Sequence, residues 1–216
     1  MRELRPVAGL HAWWAETWAF SWVGPPAGFV RLAVLPRQRK AWFWAGVVRA
    51  DGPYVLCRDL DLAMPASVET LELRGHALWT HAICETPFEH WTVAMEAYAV
   101  AMDDPTEAWR GERGERVGLA FDLEWECPSP PVLPSEPYEL ICSVNGTLQL
   151  DDDAWELSCF GRRSHQWGVQ DAGFWRRVAI DASQPNPSWA ELSRAGAERG
   201  PVLVEADEDV PILWAV

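Results

Sequence analysis

The sequence predicts an all-β, antiparallel protein: a barrel or a curled sandwich carrying one or two short helices. Three observations predict it. Apolar and aromatic residues recur with period two through most of the first 125 positions. Short runs of this kind are separated by Pro, Gly and Asp turns. Only one segment carries a convincing helix start, Ser188 with Glu191 at capping-box spacing. Periodicity alone leaves barrel and sandwich open.

Taken in order, Thr17–Trp22 alternates Thr17, Ala19 and Ser21 with Trp18, Phe20 and Trp22 and reads as the first strand. Phe29–Val34 and Ala41–Val48 follow, rich in β-branched and aromatic residues. Pro25-Pro26 with Gly28, and then Pro36–Lys40, supply the turns between them. Asp51-Gly52-Pro53 breaks the chain before Tyr54–Arg58, and Val68–Leu73 with Ala77–Cys84 read as a pair around Gly75. His90–Met102 fits helix or strand, and the alternation of Trp91, Val93, Met95 and Ala97 favours strand. Glu107–Arg110 reads as a short helix. In Val117–Trp125, five apolar side chains share one face and Asp122 and Glu124 the other, the pattern of a sheet with one wet side.

A connector rich in proline (Pro128, Pro130, Pro131, Pro134, Pro137) then divides the chain. Beyond it Glu139–Leu150 and Trp155–Phe160 form a hairpin across Asp151-Asp152-Asp153. Ser188–Ala197 is the short helix, and Val202–Glu205 and Ile212–Val216 are closing strands. The expectation is one compact β domain over 1–216, with sub-halves 1–127 and 138–216 on either side of the connector.

A net charge of −14 repels phosphate backbones and anionic lipid, so nucleic acid is not an expected partner. No apolar run approaches the roughly 20 residues of a membrane-crossing helix. The five cysteines (Cys57, Cys84, Cys127, Cys142, Cys159) are odd in number and lack a C-x-x-C pair, which argues against a disulfide framework and a zinc knuckle. Residues 2–15 lack the marks of a secretory signal, because Glu3 and Pro6 interrupt the basic end and no small-x-small site follows. The cytoplasm is the expected compartment. The 15 Trp against 3 Tyr fit GC-rich codon usage in part, and also a wide aromatic core or an indole-lined cavity.

The common catalytic signatures are missing. No glycine-rich phosphate loop, G-x-S-x-G elbow or H-E-x-x-H occurs. The histidines lack the spacing of a metal site, so neither metal nor cofactor is expected.

One segment differs in kind. Gly161–Asp171 (Gly-Arg-Arg-Ser-His-Gln-Trp-Gly-Val-Gln-Asp) packs two arginines, a histidine, an indole and a carboxylate into what reads as a loop leaving a strand. With Glu16-Thr17-Trp18 and Glu89-His90-Trp91-Thr92, it resembles the carotenoid 1,2-hydratase (hydroxyneurosporene synthase)-like family. Members commonly read Arg-Asp-His-Ser-Trp-Gly-x-Arg-Asp-Trp at this point. Arg163, His165, Trp167, Gly168 and Asp171 match; Ser164, Gln166, Gln170 and Ala172 depart. The resemblance implies a lipocalin- or calycin-like β-barrel. It also implies enzymes that add water to isolated double bonds, or that cyclise or isomerise hydrophobic substrates.

Protonating an alkene needs a carboxylic acid that apolar surroundings keep neutral, and indole faces to steady the carbocation. The candidate acid–base residues are Asp171, His165, Glu96 and Glu16. The candidate ligand wall is Trp18, Trp22, Trp42, Trp44, Trp91, Tyr98 and Trp167. Asp122 and Glu124 read as a solvated outer face. The expected ligand is a small isoprenoid- or polyene-like molecule. Acid-assisted hydration, cyclisation or isomerisation stands beside two alternatives, a non-catalytic carrier or sensor and a pericyclase. A homodimer is compatible with the sequence.

Overall fold

The computed structural model describes residues 9–11, 14–49, 52–67, 70–103, 113–128 and 138–169, together with the backbone of strands 178–179, 202–207 and 210–215. Every element among them is a strand. In chain order these are β1 (Trp14–Trp22), β2 (Ala27–Leu35), β3 (Lys40–Val48), β4 (Tyr54–Ala63), β5 (Leu73–Arg74), β6 (Leu78–Thr86) and β7 (His90–Met102). They continue as β8 (Glu115–Glu126), β9 (Tyr138–Leu150), β10 (Asp153–Val169), β11 (Val178–Ala179), β12 (Val202–Asp207) and β13 (Val210–Ala215). The sequence-predicted helices at Glu107–Arg110 and Ser188–Ala197 lie outside the described residues, as does the body of the proline-rich connector.

Strands β1 to β10 form one antiparallel sheet in the order β4-β3-β2-β1-β10-β9-β8-β7-β6-β5. The long β7 closes it on itself. Its first part pairs with β6, and its last three residues pair with β4 through Tyr54↔Met102, Val55↔Ala101 and Leu56↔Val100. Taking the ten strands less β5 and β6, which hang on the side of β7, a ring of eight remains in which each strand is hydrogen-bonded to two neighbours. No edge is left open around that ring, which removes the pairing hazard of a flat sheet. The strands on either side of the proline-rich segment belong to the same sheet, joined by β8–β9 and β1–β10. β11, β13 and β12 form a separate three-stranded antiparallel sheet, so the predicted closing strands pair with each other.

Opposed residues of an antiparallel pair share a face, so the register separates the inner wall from the outer. One core fills the inside: Trp18, Phe20 and Trp22 from β1, Val30 and Leu32 from β2, Phe43 and Val47 from β3, and the odd face of β8 from Val117 to Trp125. Contacts cross the interior. Trp22 meets Phe121 and Trp125 edge-on, Phe20 packs on Trp91 and Trp125, and the Trp125 indole N–H donates to the Ser21 carbonyl at 3.1 Å. Eight strands enclose just enough width for side chains to meet in this way. Asp122 and Glu124 lie exposed on the outside of β8, as its alternation predicts.

Three expectations need correction. The segment after Gly161 is not a loop as far as Val169: it is the second half of β10, paired residue by residue with β1 and partly with β9. Its polar look hides a period-two pattern in which Gly161, Arg163 and His165 face inward. Trp42 and Trp44 do not share the face of Trp18 and Trp22. They pair with Ala33 and Arg31 and lie on the outer side of β3, where Trp44 packs with Phe29, Tyr54 and Leu56 in a second apolar cluster. Of the strand expected at Val68–Leu73, Val68 and Glu69 lie outside the described residues, and the rest reduces to an isolated Thr70↔Ile83 bridge and the start of Leu73–Arg74. Among the described residues there is also no helix long and apolar enough to cross a membrane.

Candidate functional site

One end of the ring carries a buried polar cluster on its inner wall. It is made where β1 begins, β7 and β9 begin, and β10 runs toward its end. β1 supplies Glu16 and Trp18, and β10 answers with Trp167 opposite Glu16, His165 opposite Trp18 and Arg163 opposite Phe20. β9 places Tyr138 opposite His165 on the other side.

The centre is an imidazole–carboxylate pair. His165 Nε2 lies 2.9 Å from Glu16 Oε1, and the two residues are 0% and 2% exposed. When Glu16 is ionised its carboxylate accepts, Nε2 carries the proton of the bond, and Nδ1 is the other position of the ring. His165 Nδ1 is buried without a hydrogen-bond partner among the described residues. Leaving a buried polar atom unpaired costs about 1–3 kcal/mol. An orphan of this kind calls for an explanation.

Aromatic rings enclose the imidazole on three sides. Trp18 stacks on it at 4.9 Å and 12°, Trp167 meets it edge-on at 5.1 Å, and Tyr138 meets it edge-on at 5.7 Å. One step further in, the fully buried Arg163 guanidinium lies over the faces of Trp91 at 5.4 Å and Tyr138 at 5.5 Å. Its Nη1 donates to the Tyr138 hydroxyl at 3.2 Å. Cys142 lies close by. Burial pushes its thiol up to about 11, and the Arg163 charge only partly offsets this. Gly168 has φ 149°, a positive value that favours glycine, and Trp167 is half-buried.

Of the sequence-predicted site residues, Glu16, Trp18, Trp91, His165 and Trp167 come together here. This unites the three segments that carry the family resemblance. Trp22 lies deeper in the core, against Phe121 and Trp125. Trp42 and Trp44 stand on the outer face. Glu96 and Tyr98 are exposed on the outside of β7 toward the opposite end, Tyr98 by 67%. Both belong to the even face of β7, which points away from the core. Asp171 lies outside the described residues. Ser164 pairs with Ala19 and Glu139 on the face opposite His165. A carboxyl at that position would therefore not share the inner wall with the imidazole.

Arg163 and Tyr138 were not singled out as a polar pair in the sequence. The period-two reading, extended through Arg163 and His165, is the signal that finds the first. A separate grouping, His90, Glu124 and Glu126, brings its ligand atoms within 4.8 Å of one another on the outside of β7 and β8. Both glutamates are exposed, and His90 Nε2 stands 3.7 Å from Glu124 Oε2. This has the make-up of a surface charge pair.

Fold and site together describe an all-β chain whose sheet closes into a ring with a buried acid–base pair at one end. The chain belongs to the family of DUF7064, a domain of unknown function, whose model matches residues 3–180. No curated protein and no solved structure matches it.

Proposed function

We propose that the ring is a lipocalin-like barrel that binds a small isoprenoid- or polyene-like molecule at its Glu16–His165 end, and that this pair serves an acid-assisted hydration, cyclisation or isomerisation there. The observation that carries the reading is His165 Nδ1, a buried imidazole nitrogen with no hydrogen-bond partner among the described residues while Nε2 is held by Glu16. A carboxylate on one imidazole nitrogen fixes the ring and steadies the imidazolium, so that a protonated Nδ1 gives its proton to the alkene and takes one back from the adding water, or from the C–H next to the cation. Trp18 and Trp167 flank the imidazole and supply the indole faces a developing carbocation requires.

One observation favours a second reading, a non-catalytic carrier. The Arg163 guanidinium already occupies the face of Trp91, and a fixed positive charge there opposes a cation forming next to it. The cationic step is therefore assigned to the Trp18 and Trp167 side alone.

Retinol and geranylgeraniol serve as probes, titrated against tryptophan fluorescence and then incubated with the protein in deuterium oxide. The proposal expects saturable quenching and deuterium in the recovered alkene, with Glu16→Gln and His165→Phe abolishing incorporation while binding persists. Quenching without incorporation moves the assignment to the carrier. Incorporation that survives both substitutions excludes the pair as the proton source. Conversion without deuterium leaves only a pericyclic reaction.

A further inference from the structure

At the end of the ring opposite this cluster, the outer face of β6–β9 holds an open groove of about 660 Å³, a volume within the usual range for small-ligand sites. The register lays out its floor and walls. One row across the sheet runs Trp79, Glu96, Ala120, Gln149, and the next runs Tyr98, Gly118, with Asp151 from the β9–β10 turn beside it. Two small residues, Gly118 and Ala120, thus form a trough along β8. Tyr98 and Glu96 stand on one side of it, Gln149 and Asp151 on the other.

Gly118 is the informative residue. Glycine inside a strand costs roughly 0.5–1 kcal/mol relative to alanine and needs a reason. At Gly161 and Gly146 the reason is crowding, since an added Cβ would meet the Ser21 carbonyl oxygen or the Asp122 carbonyl oxygen at 2.1 Å. At Gly118 an added Cβ would meet only Asp151 Oδ1, at an ordinary 3.4 Å, and its φ is not in the positive region. Neither packing nor backbone conformation asks for glycine there. Close approach of a ligand to the backbone is one of the reasons a strand keeps a glycine.

The walls are fixed in advance. Asp151 accepts from Gly118 N–H at 2.6 Å and returns its own N–H to the Gly118 carbonyl at 2.9 Å. Gln149 Nε2 donates to the Asp151 carbonyl at 2.9 Å. Trp79 is held by its N–H to Glu72 Oε1 at 3.4 Å, and the same carboxylate accepts from Arg74 Nε at 2.7 Å. Arg74 and Trp79 together hold the Glu72 carboxyl below its usual range. Tyr98, by contrast, offers most of its ring to solvent.

We infer that this groove is a second binding site, independent of the ring-end cluster, for an uncharged, hydroxyl-rich ligand of the sugar class. Aromatic faces at Tyr98 and Trp79 suit the C–H face of a pyranose. The polar lining mixes carboxylate acceptors, Glu96 and Asp151, with donors from Arg74, His76 and Gln149. Hydroxyl groups satisfy both kinds at once. An anion would face the two carboxylates, and a cation would face Arg74.

The test is calorimetry and saturation-transfer NMR on the whole chain with glucose, cellotetraose and chitotriose, which separates a free sugar from a glycan chain as source. At least one of them should bind wild type, with transfer strongest from the Tyr98 ring. Tyr98→Ala and Gly118→Val should each weaken it about tenfold or more. Gly118→Val should melt at or above the wild-type temperature, because valine suits a strand and the space is open. Glu16→Gln should leave the sugar affinity unchanged, which keeps this test separate from that of the ring-end site. The inference is overturned if none of the three sugars binds at about 10 mM, or if Gly118→Val binds as wild type does. Preferential binding of tetramethylammonium or sulfate in the groove overturns it as well.

Discussion

The Glu16–His165 pair can be weighed by a double-mutant cycle. Glu16→Gln keeps the shape and an acceptor oxygen for Nε2, 2.9 Å away, but removes the charge. A charge-assisted hydrogen bond contributes about 1.5–3 kcal/mol and is roughly twice as strong as a neutral one, so this variant should lose about 0.8–1.5 kcal/mol. His165→Phe retains a flat ring against Trp18 and removes one partner of a carboxylate that is 2% exposed. Breaking a buried pair from one side costs about 3–5 kcal/mol. The double variant should cost less than the sum, with a coupling of about 1–3 kcal/mol measured by urea unfolding at neutral pH. Both residues are walled in by neighbouring strands, so little relaxation should blunt the effect. A coupling below about 0.5 kcal/mol, the usual additivity error, would refute a structured pair at the end of the ring.

Further outcomes follow from the same geometry. Trp125→Ala removes a side chain with no exposed surface that packs on Phe20 and Trp22 and donates to the Ser21 carbonyl; chemical denaturation should show a loss of about 3–5 kcal/mol. Gly146→Ala forces a Cβ to within 2.1 Å of the Asp122 carbonyl oxygen at φ 135°, so its melting temperature should fall well below that of Gly118→Val. Cys142 is a free thiol whose ionisation is pushed from 9.0 to about 11 by burial. Its thiol should resist alkylation at pH 8 in the folded chain and react on unfolding. Because the folded value is the higher one, the stability linked to Cys142 is complete below about pH 9 and is lost as pH rises toward about 11, readable as a falling urea midpoint. Trp167→Ala, at a half-buried position, should cost less stability than Trp125→Ala yet weaken polyene quenching.

Much of the ring was legible because one wet face imposes alternation. β8 is the clearest case: Val117 to Trp125 declares its inner side, and Asp122 and Glu124 its outer. The β9–β10 hairpin was legible from its acidic turn. β3 was legible as a strand but not in orientation. Ala41, Phe43, Ala45 and Val47 face in while Trp42, Trp44 and Val48 face out, and both sets are apolar, so no period-two signal distinguishes the sides. The second half of β10 was hidden for the opposite reason. Its inward positions are Arg163 and His165, polar residues that a strand places inside only when partners wait for them. Those partners lie far off in sequence: Glu16 is 149 positions from His165 and Tyr138 is 25 from Arg163. Composition suggested indoles near an acid; only ring closure shows that Trp18, Trp91 and Trp167 gather there and Trp42 and Trp44 do not.

The most direct measurement is nitrogen NMR of the His165 imidazole, in protein labelled at histidine and assigned by His165→Phe, before and during titration with retinol. The account predicts that Nε2 stays bonded to Glu16 throughout the titration. It further predicts that the Nδ1 resonance moves in step with saturation of tryptophan quenching, because the ligand reaches the nitrogen that has no hydrogen-bond partner among the described residues. A Nδ1 resonance that stays fixed while retinol saturates its quenching would contradict the account and place the ligand elsewhere in the molecule.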